Sequence, residues 1–485
     1  MPIFCYRFWT LLRGAGLQAP GLEAGLLELA RAKLVASREI DSPHDRFSHA
    51  ARLAILDVQL SLDFEPRREK VQIEEANLVE SHMRIAYSIP DHREYLRSGY
   101  PSEPLLAEAA AQQLWMWRKQ NPFMVVDTLT NVLETGLLHR GELGELTGRQ
   151  LLLDAYHRAV ELEQCDHLEG RSPNFSAGCR LTTFINMLFT NECAEKVLGS
   201  SPDNMKGMPF RKAFEHALVS FTHFGKMADN TGITSAAAWV AFIRHMAIMC
   251  RNGQNFVDCI IPVLLQGTRL CEHVITGVLI QFKRRIRRGT VAGYSIDQAD
   301  LIFFPKTKTG ERCKHGSTAS TSYRPYVSLI MDLGVQPKLY EKAQTSTIFK
   351  PDLSSSKKSR SRTPPPSEGV PDHTTPSKVV IPEFGTRHHP PPDGHARYNI
   401  FAYGCSPTVY RGIDAAHKPS YALLLSSRDF LGEHPRKGGP TLKAVRRMKP
   451  FWTGGDDCYH WVEHDDTLHG PVPSPKVEFG VGNQM

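Results

Sequence analysis

The chain has 485 residues, of which 41% are hydrophobic and 22% charged, and its formal net charge is +7. That length and hydrophobic content support several compact units with a sizeable core, so the composition excludes a chain that is disordered throughout. The ten cysteines include no CxxC pair and the first residues lack a signal peptide, which predicts a reduced, intracellular protein and excludes a small disulfide-rich secreted one.

Residues 20–200 have the apolar spacing of helices. Segments such as GLEAGLLELARAKLVAS and FSHAARLAILDVQLSL place apolar residues three and four positions apart. A later segment has Ser102 as a candidate helix cap and Pro104 in the first turn. We therefore predict an N-terminal helical segment over residues 1–40 and an α-helical domain over residues 41–200, which could bind a protein partner.

Residues 205–343 mix helix-like segments with short β-like runs. This mixture predicts an α+β fold, in which the helical N-terminal domain is followed by a mixed α/β domain with a small central sheet. The longest apolar segment is interrupted by Arg244 and His245 and is too short to span a bilayer, so no membrane partner is expected. The predicted helices are FRKAFEHALVSFTHF and TSAAAWVAFIRHMAIMC, and the predicted strands are FVDCIIPVLL, VITGVLIQF, ADLIFFP and RPYVSLIMDLG.

Composition divides the remainder of the chain. Residues 344–394 are rich in Ser, Pro and charge and poor in bulky apolar residues, which predicts a disordered linker. Residues 395–463 regain aromatic and apolar side chains, but this segment is short for a core of its own, so we expect it to pack on the preceding domain. Residues 464–485 are predicted to be a flexible tail.

Two of the predicted strands, FVDCIIPVLL and VITGVLIQF, carry polar residues at their ends. A symmetric antiparallel hairpin pairs Asp258 with Gln281. Lys283 lies two residues beyond Gln281 and therefore on the same face. Asp258 and Gln281, with the backbone carbonyl of Phe282, would supply oxygen ligands for Mg²⁺. Lys283 would then stabilise negative charge on a phosphate.

A basic run, KRRIRR, follows the second strand directly. Its guanidinium groups would bind the phosphates of a nucleic acid. Two further basic runs, KKSRSR and RKGGPTLKAVRRMK, strengthen the expectation of nucleic-acid association and of a nuclear location. The predicted phosphate-binding residues are Arg284, Arg285, Arg287 and Arg288.

The Asp…Gln-x-Lys arrangement resembles the PD-(D/E)xK, or restriction-endonuclease-like, nuclease superfamily in its Mrr-type Gln-x-Lys form, over residues 210–335. The resemblance implies a metal-dependent enzyme that cleaves phosphodiester bonds, with Asp258, Gln281 and Lys283 as the catalytic residues. The superfamily often adds an acidic metal ligand from a preceding helix, and Glu215 is the candidate by position. The wider chain resembles an expanded family of uncharacterised fungal proteins, in stretches such as LVESHMRIAYSIPDHREYLRSGYPSEPLLAEAA and NIFAYGCSPTVY.

Two alternatives to this nuclease reading remain open. The hairpin's polar ends could simply reach solvent, in a protein that binds partners or nucleic acid without catalysis. A nuclease-like domain could also be inactive, because Gln in place of an acid removes one negative charge from the metal site. Walker-type, GxSxG, HExxH and Rossmann glycine motifs do not occur, which argues against P-loop ATP hydrolysis and nicotinamide chemistry.

Overall fold

The fold is known from a computed structural model, and all of the residues it describes belong to one of two compact units, residues 1–425. Helices dominate the first half of this unit and a mixed sheet dominates the second, so the α+β class predicted from the sequence is confirmed. The described residues are 20–64, 69–88, 97–134, 137–138, 143–167, 172–227, 233–251, 256–265, 270, 272–283, 296–304, 324–334, 378–382 and 394–425.

The helices before residue 200 follow the predicted apolar spacing. The Ser48 hydroxyl caps the second of them by accepting a hydrogen bond from the N–H of Ala51 at 3.0 Å. Ser102 is not a cap, because Glu103 occupies the N-cap position before Pro104. These helices are α1 Pro20–Val35, α2 His49–Leu60, α3 Glu69–Ser81, α4 Pro104–Gln120, α5 Met124–Glu134, α6 Leu143–Gln164, α7 Leu181–Leu188 and α8 Asn191–Leu198.

Later helices are shorter: α9 Phe210–Ala213, α10 Ser235–Ile243, α11 Gln298–Leu301 and α12 Lys418–Leu425. Strands β1 Ile85–Ser88 and β2 Arg97–Gly99 form a small antiparallel ribbon. The strands of the main sheet are β3 Cys179–Arg180, β4 Leu218–Val219, β5 His223–Lys226, β6 Met246–Met249, β7 Cys259–Leu264, β8 Ile275–Lys283, β9 Tyr326–Asp332, β10 Lys378–Val380 and β11 Arg397–Tyr403.

Nine strands of the described residues make up the main sheet. Seven of them follow one another in the order β10-β11-β9-β8-β7-β4-β3, and β5 and β6 lie off this path. Strand β6 also pairs with β7, and β5 pairs with β6. β7 and β8 are antiparallel, whereas β8, β9 and β11 run parallel to one another. The polar ends of β7 and β8 therefore lie beside the end of β9.

Three segments differ from their predicted structure. The segment FRKAFEHALVSF contains only the short helix α9 before it continues into β4. In the second segment, α10 ends at Ile243, His245 adopts a φ of 51°, and the chain continues as β6, because pairing with β5 and β7 stabilises an extended backbone there. ADLIFFP contains α11 instead of a strand, and the Asp297 side chain caps it through the N–H of Ala299 at 2.9 Å.

A short strand lies within the predicted linker. Residues Lys378–Val380 form β10, which pairs antiparallel with β11. The β-branched Val379 and Val380 explain this pairing, because such side chains pack well on a pleated surface. Beyond residues 378–382 and 394, the predicted linker lies outside the described residues, as does everything after residue 425.

Two hydrophobic cores cover opposite faces of the sheet. The larger extends from Ala30 in α1 to Leu425 in α12, so helices and sheet share it. A smaller core lies under α10 and residues 296–304. Cys259, Ile261, Val263, Val278, Ile280 and Phe282 belong to the larger core, whereas Ile260, Leu264, Ile275 and Leu279 belong to the smaller one.

Candidate functional site

The predicted hairpin is present in the predicted register. Its pairs run from Cys259 with Ile280 to Leu264 with Ile275. Asp258 and Gln281 follow at the same end of the hairpin, but Asp258 lies in a bend outside the paired residues. Its N–H is directed to β8 and its carbonyl to β6, and Val257 and Ile260 both belong to the smaller core, so side-chain alternation does not extend through Asp258. By alternation along β8, Gln281 lies on the face of the smaller core.

Asp258 is fixed where three strands meet. Its N–H donates to the carbonyl of Ile280 at 2.8 Å, and its own carbonyl accepts from the N–H of Cys250 at 2.9 Å. The carboxylate Oδ2 accepts a hydrogen bond from the N–H of Phe282 at 2.7 Å. Burial raises the pKa of Asp258, while the Phe282 hydrogen bond and the charge of Lys283 act in the opposite direction. The carboxyl group of Asp258 is thus held in place by the Phe282 N–H, in a partly desolvated position beside the positive charge of Lys283.

Gln281 is a buried polar residue in the middle of this arrangement. Only 8% of it is exposed, and its amide makes no hydrogen bond to any residue that the structure describes. Its amide atoms are not among the fully buried side-chain atoms that lack a partner in the described part of the chain, so the amide carries no cost of unpaired burial.

Lys283 ends β8 and lies beside Asp332 at the end of β9. The backbone carbonyl of Lys283 accepts from the N–H of Leu333 at 2.7 Å, so it points toward β9. The N–H of Phe282 points the other way, toward Asp258. Since the N–H and carbonyl of one strand residue point to the same side, the Phe282 carbonyl also faces β7. This is the carbonyl proposed from the sequence as a third oxygen ligand.

A second acid, Glu145, acts on the same two thiols as Asp258, although the sequence did not suggest it. Burial raises the pKa of the Cys250 thiol to about 12, and the charges of Asp258 and Glu145 also raise it. Burial and neighbouring negative charges, including both carboxylates, raise the pKa of Cys259 as well.

Close packing of α6 on β8 explains the position of Glu145. A Cβ atom on Gly148 would lie 2.1 Å from the Phe282 ring, so only glycine allows this approach. Glu145 precedes Gly148 by one helical turn and is therefore on a neighbouring part of the same helix face. A glycine within a helix was the sequence signal that could have indicated this contact.

Glu215 is not brought to the hairpin end. It is exposed and lies in the turn after α9, three residues before Leu218. Leu218 pairs with Leu264, at the opposite end of β7 from Asp258. Six residues of strand separate Leu264 from Asp258, which corresponds to about 20 Å. Arg284, Arg285, Arg287 and Arg288 lie outside the described residues.

The donor set at the hairpin end suits an oxygen-preferring cation only in part. Among the residues that the structure describes, no three His, Cys, Asp or Glu side chains are grouped as a metal site. Asp258 thus supplies one carboxylate, and the Gln281 amide and the Phe282 carbonyl supply neutral oxygens. Water or a substrate phosphate would complete the coordination of an ion such as Mg²⁺.

Fold and site together define an α+β protein with a polar site at the end of a β hairpin. Residues 44–290 match the family model of a domain of unknown function, DUF8736, and the chain belongs to that family. The matched range includes Glu145, Asp258, Gln281 and Lys283 but ends before β9. Comparison with curated proteins and comparison with solved structures each gave no match.

None of the described helices combines the length and the apolar character needed to cross a bilayer.

Proposed function

We propose that this protein is a metal-dependent, nuclease-like protein that cleaves phosphodiester bonds of nucleic acid at the end of the β7–β8 hairpin. The observation that supports this most directly is that Asp258, Gln281 and Lys283 come to one end of the β7–β8 hairpin, where the Phe282 N–H holds the Asp258 carboxylate at 2.7 Å. Perturbed acids beside a cation are typical of functional sites.

Asp258, Gln281 and the Phe282 carbonyl are the residues that would hold Mg²⁺. The Phe282 N–H fixes the carboxylate of Asp258, so little side-chain freedom would be lost on binding. When bound, the ion would polarise the phosphate and lower the pKa of a bound water.

One further side chain completes the proposed site. Lys283 carries a positive charge beside Asp258 and would stabilise negative charge that develops on the phosphate. Glu215 lies at the far end of β7 and has no role in this proposal.

Nucleic acid as the partner and the nucleus as the location follow from the basic runs of the sequence and belong to the same proposal. Arg284, Arg285, Arg287 and Arg288 would bind the phosphate backbone next to the site.

A second candidate function is a non-enzymatic protein that binds nucleic acid or a protein partner through an inactive nuclease-like domain. The absence of a three-acid or similar metal cluster among the described residues favours this candidate. If the site binds cations only weakly, the domain would bind nucleic acid or a protein partner without cleaving phosphodiester bonds.

A cleavage assay on mixed DNA and RNA in Mg²⁺ or Mn²⁺ separates the two candidates. We expect Asp258→Asn and Lys283→Met to lower the cleavage rate by about 100-fold or more, because each removes charge from the site. Glu215→Gln is the matched control, since Glu215 is exposed at the far end of β7. Equal rates in all variants would assign the cleavage to a contaminant. Binding without cleavage by the wild type would favour the second candidate.

A further inference from the structure

Ser102, which does not cap a helix as the sequence predicted, is paired with a buried histidine instead. It lies directly before Glu103, the N-cap residue of α4, and is partly exposed. Its Oγ lies 2.7 Å from Nε2 of His223, the first residue of β5. A serine hydroxyl at this distance from an imidazole nitrogen can transfer its proton to that nitrogen. The two residues are 121 positions apart in the chain, so sequence spacing does not reveal the pair.

The hydrogen bonds around His223 determine which of its ring nitrogens carries the proton. Thr222 Oγ1 donates to the carbonyl of His245 at 3.2 Å, and the same oxygen lies 3.1 Å from Nδ1 of His223. Because the first bond uses the hydroxyl proton of Thr222, Oγ1 accepts in the second, which places the ring proton on Nδ1. Nε2 is therefore the acceptor for the Ser102 hydroxyl. The Sδ of Met246 lies 2.9 Å from the same hydroxyl oxygen, but a thioether is a weaker acceptor.

The surroundings of His223 keep its imidazole neutral. The residue is 1% exposed, and burial lowers its pKa to about 3, with the positive charges of Arg244 and His245 adding to the effect. Nε2 is thus unprotonated at neutral pH and can accept a proton. The same surroundings make the protonated ring less stable. The pair therefore suits an electrophile whose leaving group departs easily, rather than an unactivated amide.

A guanidinium group lies beside the nucleophilic hydroxyl. Arg244 is partly exposed, and its Nη2 donates to the backbone carbonyl of Ser102. Its position follows from the turn between α10 and β6, where α10 ends at Ile243 and His245 has a φ of 51°. A positive charge in this position would stabilise negative charge that develops on a carbonyl oxygen when Ser102 attacks. A nucleophile, a base and a cation thus meet at the start of β5 and β6.

We propose that Ser102 is a nucleophile and His223 its general base, in a second site that accepts the acyl group of an activated ester or thioester. The Ser102 Oγ bonds to the carbonyl carbon, its proton moves to Nε2 of His223, and the bond from that carbon to the leaving oxygen or sulfur breaks. The leaving group takes the proton from Nε2. Water then hydrolyses the acyl-serine, again with proton transfer through Nε2, which releases the acid and restores Ser102. This site shares no residue with the hairpin end, so it does not depend on the proposed function.

Reaction of the purified full-length chain with a fluorophosphonate probe, followed by peptide mass spectrometry, tests the proposal. The probe phosphorus bonds to an activated serine oxygen as fluoride leaves. We expect labelling on the peptide that contains Ser102 and none on that peptide in Ser102→Ala. His223→Gln should lower the labelling rate by about 100-fold or more, because glutamine accepts a hydrogen bond from Ser102 but not a proton. A merely structural role of His223 would leave that rate unchanged.

Ser220→Ala is the matched control. Ser220 also forms a serine–histidine pair, with its Oγ 2.7 Å from Nδ1 of His245, but it is only 3% exposed. Its replacement should leave the labelling of Ser102 unchanged, because the probe cannot reach a buried hydroxyl. Wild-type protein that is not labelled, or is labelled only on other residues, would overturn the inference. Equal labelling rates in the wild type and in folded His223→Gln would also overturn it.

Acetylation by 4-nitrophenyl acetate extends the test to acyl transfer. We expect the wild type to release a burst of about one equivalent of 4-nitrophenolate as Ser102 is acetylated, and Ser102→Ala to show no burst. Acetyl groups only on lysines or other serines would contradict the inference. If His223→Gln does not fold, as judged by circular dichroism, the position of the label and of the acetyl group in the wild type decides. A metal chelator should leave both reactions unchanged, whereas it should stop the proposed phosphodiester cleavage, so the two proposals can fail separately.

Discussion

At the scale of single residues, the interior holds both paired and unpaired polar groups. Arg397 is 2% exposed and forms a two-point ion pair with Asp203, with Nε to Oδ1 at 2.8 Å. Arg84 is likewise buried and is paired with Asp57 and Glu75. Gln59 Oε1 is buried without a partner in the described residues, whereas no atom of Gln281 is, so the case for a binding role rests on the position of Gln281 at the strand end.

A buried histidine predicts acid sensitivity. His223 is 1% exposed, and its Nε2 lies 2.7 Å from the Ser102 hydroxyl. Burial lowers the pKa of His223 from 6.5 to about 3, with the positive charges of Arg244 and His245 adding to the effect. The folded state therefore keeps His223 neutral where the unfolded chain protonates it. The stability that this residue contributes is complete above pH 6.5 and is lost as the pH falls toward 3.

Urea unfolding of the wild type and of His223→Gln from pH 7 to pH 4 measures this contribution. We expect the stability difference between the two proteins to shrink by about 1.4 kcal/mol per pH unit below pH 6.5, the slope for one proton. A difference that stays constant over that range would show that His223 does not titrate on unfolding.

At the scale of elements, the contact between α6 and β8 connects the helical core to the site. The missing Cβ of Gly148 allows the helix to lie on the Phe282 ring, and Phe282 holds Asp258 through its N–H. Gly148→Ala would push the ring away, at a cost of about 1–3 kcal/mol. We also expect weaker cation binding at the hairpin end, because the hydrogen bond from the Phe282 N–H to the Asp258 carboxylate would be displaced.

The control for this substitution is Gly25→Ala. A Cβ on Gly25 in α1 meets nothing within 4 Å, so alanine should stabilise that helix by about 0.5–1 kcal/mol.

Adding Phe282→Leu to Gly148→Ala should recover part of the lost stability, because the smaller side chain leaves room for the methyl group. Additive losses in the double variant would show that the two residues do not conflict. Urea unfolding measures the effect on stability, and Mn²⁺ titration measures the effect on cation binding.

The sequence predicted the elements that depend on local pattern. Helices α1 and α2 and the register of β7 with β8 could be predicted from the sequence, since apolar spacing and loop symmetry determine them. Strand β6 could not be predicted, because its MAIM segment is extended only through pairing with β5 and β7. The hairpin end of the candidate site was therefore predictable, whereas the bend at Asp258 was not. Its N–H bonds to β8 and its carbonyl to the end of β6, so it depends on segments that the sequence pattern does not bring together.

At the scale of the whole molecule, segments far apart in the chain complete the sheet. Strand β11 runs parallel to β9 over seven paired residues, from Arg397 with Tyr326 to Tyr403 with Asp332. It contributes Tyr398 and Ile400 to the larger core, where both are almost fully buried. The folded unit therefore depends on its last described strands as much as on its first helices.

Truncation tests this dependence. A chain that ends at residue 425 keeps β10, β11 and α12, and we expect it to unfold in urea as cooperatively as the full-length protein. A chain that ends at residue 377 loses all three elements and exposes one edge of β9 together with the core side chains that β11 covers. We expect this shorter chain to aggregate or to lose cooperative unfolding, because unpaired strand edges and exposed apolar surface favour association. A soluble, cooperatively folded chain of residues 1–377 would show that the sheet does not need β11, and that the helical core alone maintains the fold around the candidate site.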